Sequence, residues 1–418
     1  MKALQTLDVF ANIGNKEFQV GTAYLPQRGE MYWQYDDAFL NSVLEISPIH
    51  LALKQKLHKN PGASAEADFL PGVFLDCLPS GWGKRVMDQA FQIQCVGEVS
   101  VLDRLAYMGS RSIGAFRFVP EKSMGDADQA KPIELEQFIE RAYRFIRGEY
   151  KSVNRDVIAA CVVAGGELPK AAVGYNPQSK EIVQGGYDLP PNFVHYLLKF
   201  DPYGAPEFAY SQMARAAQIA VPNTVLIERG PNRFFAAERF DRKRENEKVH
   251  VHSLSGLLNL DTQASQGEAV ASYDHLIKVV RALTRDKSQV LEAYKRMVFN
   301  VYACVRNDHP DNFSFLMDGK GKWSLAPAYD LNFDDRQPGH FMLVNGKAVP
   351  SKNDFLEVAN RFELGAADVK SAFEGVEHAI SQWSKIASDS GVDPVLAQRI
   401  DNTLQERLTR GGEVDRYS

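Results

Sequence analysis

The amino-acid sequence predicts an α+β protein with a two-lobed rear portion and a cleft between the lobes. Three observations carry this expectation. The chain has 418 residues, more than one ordinary hydrophobic core holds, so two or three packed units are expected. The stretches AAVGYN, FVHYLLKFD, TVLIERG and RFFAAERFD follow one another as short β-rich segments, which reads as an antiparallel sheet. From Tyr273 the pattern turns helical, so the sheet comes first and the helices afterward.

Composition narrows the class. Hydrophobic residues make up 44% and charged residues 24%, the profile of a globular chain. A formal net charge of −5 gives no general attraction to a phosphate backbone, so any DNA contact is expected through a partner. The start, MKALQTLDVFANIGNKEF, lacks the apolar core of a signal peptide, and no window approaches the roughly 18 apolar residues of a membrane span. The expectation is a cytoplasmic protein without membrane contact. Cys77, Cys95, Cys161 and Cys304 lack C-x-x-C spacing and read as buried reduced thiols.

In chain order, residues 1–122 mix alternating stretches such as FQVGTAYL with turn-rich segments, which suggests a strand-rich front unit with helices. The aromatic stretch MYWQY within it fits core packing or an interaction surface. SMGDADQAKP, residues 123–132, is the boundary, because small, polar and charged residues replace the apolar pattern. A sheet-rich lobe is expected over residues 133–245 and a helical lobe over 246–418. The sheet-rich lobe opens with a helix from Leu135, where Phe138, Ile139, Ala142 and Ile146 share a face. Farther on, Leu276, Val279, Val280 and Leu283 mark another helix, LEAYKRMVFNVYACV a third, and Val369, Phe373, Val376, Ile380 and Trp383 a last amphipathic one.

Four pieces in order suit a nucleotide triphosphate. In AGGELPK, Gly165 and Gly166 permit a tight turn whose N–H groups can approach phosphate, and Lys170 adds positive charge. Alone, such a Gly-Gly pair more often marks a plain turn. In YLLKFD, Lys199 sits in an apolar strand, where an ammonium needs a counter-charge or a solvated cleft. In AAERFDR, the backbone from Glu238 to Phe240 could line an adenine pocket, although its charges also suit a solvated turn. The fourth piece is RNDHPDNFSF followed by a hairpin and WSLAPAYDL. Protein kinases use a catalytic-loop Asp, then an Asn that holds magnesium, then a metal-binding Asp. Asn312 and Asp330 are suitably typed: hard oxygen donors, few enough to leave room for phosphate and water.

These motifs resemble the HipA family, the kinase toxins of bacterial toxin–antitoxin pairs. The likeness spans nearly the full length, through FLDCLPSGWGKRVMD and LAYMGSRSIGAFRF in front and GGELPK, LLKFD, ERFDR, VHVHSLSGLLNLD, FNVYACVRNDHPDNFSFL and LAPAYDLNF behind. The resemblance implies a protein-kinase-like fold that uses ATP and Mg2+ to phosphorylate seryl or threonyl groups of a protein, aminoacyl-tRNA synthetases being the known kind of target. It implies that residues 165–170 cover the phosphates and Lys199 contacts them. Glu238 and Phe240 would bind adenine through their backbones, with Asp241 nearby. His309, Asn312 and Tyr329 would lie on the nucleotide, and Asn312 and Asp330 would hold the metal, all converging with Lys199 on one triphosphate. A helix-turn-helix antitoxin of HipB type is the implied partner.

One position departs from the pattern. Counting back from Asn312 with four intervening residues lands on Asn307, where the kinase pattern has Asp. An amide can hold a substrate hydroxyl but cannot take its proton. Three readings stand: a deliberate inactivation, a natural pseudokinase, or takeover by the adjacent Asp308. A catalytically dead nucleotide-binding scaffold acting with an antitoxin as co-repressor is the alternative function. The stretch CVVAGG lacks the hydroxyl through which some relatives silence themselves by autophosphorylation. His250 and His252 alternate on one strand face, and a surface pair or a contact to the target is expected ahead of a metal site. Residues 248–262 and the front unit are the expected target-selecting surface.

Overall fold

The structure is a computed structural model. It describes residues 3–94, 97–122, 130–150, 155–163, 165–201, 204–260 and 271–409. Residues 123–129 of the expected boundary, and Cys95, lie outside the described residues. The chain divides into two compact units: residues 1–201, 236–262 and 316–322 in the first, and 202–235, 263–315 and 323–418 in the second.

The first unit opens with an antiparallel sheet whose order is His58–Lys59, Tyr32–Tyr35, Lys16–Tyr24, Thr6–Ile13, Phe116–Val119. Strand alternation explains its inner face: Leu7, Val9, Ala11 and Ile13 all turn inward and are buried. MYWQY packs the same way. Met31, Trp33 and Tyr35 are buried, and Trp33 meets Phe74 with ring centroids 4.8 Å apart. The helix Val101–Met108 begins with a capping box, in which Ser100 Oγ accepts from the Asp103 N–H at 3.1 Å and Asp103 Oδ2 accepts from the Ser100 N–H at 3.0 Å.

The same unit holds the expected second antiparallel sheet. Ile182–Gln184 pairs with Lys170–Tyr175, that strand with Val194–Lys199, and Val194–Lys199 with the end of Asn232–Glu238. The helix from Leu135 runs Leu135–Ile146, burying Leu135, Phe138, Ala142 and Phe145.

The second unit is mainly helical. A helix absent from the sequence expectation, Gly204–Ala216, precedes the strand Thr224–Arg229. Tyr273–Thr284 and Lys287–Tyr302 follow as expected, and Leu276, Val279 and Val280 are buried. The last expected amphipathic helix is two, Ala366–Ser381 and Trp383–Ser390, because the backbone turns at Gln382 (φ −89°, ψ 1°). Its apolar residues nonetheless face one core, where Trp383 packs on Tyr210 with centroids 5.4 Å apart and Tyr302 packs between Phe355 and Phe373. Among the described residues, no helix is long and apolar enough to cross a membrane. Cys77, Cys161 and Cys304 are buried free thiols.

Candidate active site

In the second unit, the helix Lys287–Tyr302 ends at Ala303, and Cys304 adopts a left-handed φ of 54° that turns the chain. Residues 305–309 lead into the single 3-10 turn Pro310–Asn312, followed by the hairpin strands Ser314–Met317 and Trp323–Leu325. The return strand delivers Tyr329 and Asp330 beside that turn. One pocket is lined by Asn307, Asn312, Tyr329 and Asp330, together with Asn300 and Arg296.

The turn is tied down by specific bonds. Asn312 Nδ2 donates to the Asn307 carbonyl at 3.0 Å, which leaves Oδ1 as the accepting end of the amide. The Asn312 N–H donates to the His309 carbonyl at 2.8 Å. Tyr329 Oη donates to the Asp311 carbonyl at 2.6 Å and lies 2.7 Å from Ser314 Oγ, so the segment before Asp330 is pinned to the turn. Below it, the buried Arg296 donates to the Ala326 carbonyl at 2.8 Å and to Glu292 Oε1 at 3.0 Å. Asp330 itself has a left-handed φ of 57°, a conformation that Asp tolerates better than most residues. His309 is half-buried, with its ring 3.8 Å from that of Phe341. Burial lowers its pKa against the opposing pull of Asp311, Asp308 and Asp330.

Asp308 does not share the open setting of its neighbour. Asn307 is exposed, whereas Asp308 is 1% exposed. Its Oδ2 accepts from Tyr273 Oη at 2.6 Å and lies 3.2 Å from His340 Nδ1, and its Oδ1 accepts from the N–H groups of Phe341 at 2.8 Å and Met342 at 3.3 Å. A carboxylate so surrounded is poorly disposed to take a proton from a substrate, which weighs against its standing in for a base at 307. Tyr273, His340, Phe341 and Met342 carried no local sequence signal, because they meet Asp308 only through tertiary packing.

The donor set suits a hard cation. Among the described residues, no three His, Cys, Asp or Glu side chains gather as a metal-holding group. Asn312 and Asp330 offer one amide and one carboxylate, the hard oxygen donors that Mg2+ takes.

The first unit carries the other expected residues. Lys170 and Lys199 stand directly opposite one another in antiparallel register, both 5% exposed. Lys170 Nζ donates to the Gly165 carbonyl at 2.8 Å, and the Gly166 N–H donates to Ser80 Oγ at 2.8 Å, so this loop is engaged internally. Gly166 has φ +98°, and a Cβ there would come within 2.6 Å of Lys170 Nζ. Glu238 pairs with Tyr196 across the sheet, and Glu238 and Phe240 are half-buried.

Asp241 is occupied. It accepts from Arg239 at 2.9 and 2.7 Å, from Arg242 at 2.7 Å and from the Gly114 N–H at 2.8 Å. Although burial opposes ionisation, those two guanidiniums hold its carboxyl well below the usual range.

The expectation of a surface histidine pair is corrected. His250 and His252 are both fully buried, because both faces of the strand His250–Ser253 are covered. His252 Nδ1 lies 2.7 Å from Asp76 Oδ2 and its Nε2 lies 2.9 Å from Ser47 Oγ, while His250 Nε2 lies 2.9 Å from the Ile46 carbonyl. Residues 249–257 are likewise buried, so most of the 248–262 stretch is not a surface for a target.

With this geometry in view, the fold is that of HipA from the Shewanella oneidensis complex of HipA, HipB and operator DNA: TM-score 0.70, covering 97% of this chain and 96% of that one, at 17% identity. The chain belongs to the HipA family, since the HipA-like C-terminal domain matches residues 162–383 and the HipA N-terminal domain matches residues 11–119. Toxin YjjJ of Escherichia coli is 22% identical over 410 residues, 91% of this chain and 85% of that protein. A putative kinase of Haemophilus influenzae is 26% identical over 175 residues, 38% of this chain, and only 51% of that relative's length is covered.

Proposed function

We propose that this chain is a toxin-type serine/threonine protein kinase, using ATP and Mg2+, with its base position filled by Asn307. The observation that carries the reading is that Asn307, Asn312 and Asp330 line one pocket, with the Asn312 amide bonded to the carbonyl of residue 307. Asn312 and Asp330 would hold Mg2+, which when bound would neutralise phosphate charge. His309 and Tyr329 would border the nucleotide. Lys170 and Lys199, opposite one another across the sheet, would offer positive charge to phosphate. Catalysis in this scheme is positioning and charge neutralisation. The Asn307 amide would orient the target hydroxyl without accepting its proton.

The target would be a protein, with an aminoacyl-tRNA synthetase as the family's example. A helix-turn-helix antitoxin of HipB type would neutralise the kinase in the cytoplasm and carry it to DNA, as supported by the HipA relative whose structure includes HipB and operator DNA. The test is transfer of labelled γ-phosphate in bacterial extract by this chain and by Asn307→Asp. Labelled protein from either supports the kinase; no label from both overturns it.

A second reading, a nucleotide-binding scaffold that acts with the antitoxin as co-repressor, is favoured by the amide at 307 and by the engaged carboxylate of Asp308. Expression of Asn307→Asp separates the two: growth arrest supports the kinase, and unchanged growth supports the scaffold.

A further inference from the structure

We propose that Asp308 is a positioning residue for the metal-holding turn, an inference that rests on the nucleotide reading above. Its four contacts come from separate parts of the second unit. Tyr273 begins the helix Tyr273–Thr284, and its Oη also accepts from Asn300 Nδ2 at 2.9 Å, in the helix Lys287–Tyr302. His340, Phe341 and Met342 belong to the segment beyond Asp330. A side chain held from these directions leaves residue 308 little rotational freedom.

Fixing residue 308 fixes the peptide that precedes it, whose carbonyl is that of Asn307. That carbonyl accepts from Asn312 Nδ2 and so sets the direction of Asn312 Oδ1. The path therefore runs from two buried helices, through Asp308 and one peptide group, to a metal-facing oxygen. Asp308 also borders the pocket, but both of its carboxylate oxygens are taken up by these four contacts. It acts as an outer partner that aims a ligand, and loss of such partners typically weakens metal binding by about 10- to 100-fold.

The same carboxylate fastens Phe341, which is 42% exposed and packs against His309 with the ring planes tilted by 44°. One buried group thus sets both the turn and the segment facing it.

The test uses the full-length chain with Mn2+ and a non-hydrolysable ATP analogue, measured by calorimetry, and the same analogue in EDTA. Asp308→Ala is expected to weaken the Mn2+ complex roughly tenfold or more while the EDTA affinity stays within about twofold. Asp308→Asn is expected to stay close to the parent, because its amide can donate to Tyr273 Oη and to the other tautomer of His340 while Oδ1 still accepts from the two backbone N–H groups. Should Asp308→Ala fail to fold, Tyr273→Phe, which removes one donor, is expected to show a smaller loss confined to the Mn2+ complex. A folded Asp308→Ala with unchanged Mn2+-complex affinity overturns the proposal, as does equal loss with and without metal. So does a Tyr273→Phe without effect where the alanine variant is unfolded. If the parent chain binds the analogue in neither condition, the nucleotide reading itself fails, and this inference with it.

Discussion

Lys170 and Lys199 face each other across two antiparallel strands, each almost wholly withdrawn from solvent. In the nucleotide reading, the positive charge of Lys199 serves bound phosphate. Lys199→Met is accordingly expected to lower ATP affinity by about tenfold or more, the loss of a charge-assisted hydrogen bond being worth about 1.5–3 kcal/mol. Calorimetry with Mg·ATP checks this, and an unchanged affinity would remove Lys199 from the nucleotide site.

Asn307→Asp supplies the missing carboxylate at an exposed position. A positioned base typically contributes on the order of 10²- to 10⁴-fold, so phosphorylation of target protein should rise by that order. Single-turnover transfer of labelled phosphate reads this directly. A carboxylate that leaves the rate where it was would mean that proton removal at 307 is not limiting.

Asp241→Asn would leave Arg239 and Arg242 without their shared buried carboxylate. Breaking a buried pair in this way costs about 3–5 kcal/mol, which should appear as a lower urea midpoint. The folded variant should keep its Mg·ATP affinity if the residue's role is structural. A selective loss of ATP binding at unchanged stability would return Asp241 to the nucleotide site.

The buried histidines set a pH dependence. Burial and the nearby Arg239 lower the His195 pKa to about 4, and burial and His252 lower that of His250 to about 3. Both stay neutral in the folded chain, whereas the unfolded chain takes up protons near pH 6.5. Stability is therefore fully present above pH 6.5 and is lost as pH falls toward 4 and 3, at up to roughly 1.4 kcal/mol per pH unit for each histidine. Urea unfolding between pH 7.5 and 5 should show the fall. His195→Gln, which can still bond to Asn246, should lessen its slope; a slope unchanged in that variant would exclude His195 as a source.

What the sequence revealed of the site was residue type and order. Asn312 and Asp330 could be picked out because an amide and a carboxylate flanking a hairpin are hard donors at recognisable spacing, and the structure does bring both to one pocket with Asn307. The role of Asp308 was not legible, since its partners lie more than 30 residues away in either direction and include two backbone N–H groups. Alternation correctly put His250 and His252 on one face of a strand, but it cannot say whether that face meets water. Here Ser47, Asp76 and the Ile46 carbonyl cover it. The strands of the second sheet were legible from their β-rich runs, whereas the helix Gly204–Ala216 was missed, its two faces both rich in small or buried residues.

Because the two units interleave along the polypeptide, each in three separate stretches, no single stop codon or protease cut separates one cleanly from the other. Ending the chain after residue 201 would strip the first unit of residues 236–262 and 316–322, whereas beginning it at 202 would keep every stretch of the second unit but leave those two first-unit segments without the rest of theirs. Dissection by truncation is therefore a poor experimental route, because any such cut strands segments of the first unit on the wrong fragment.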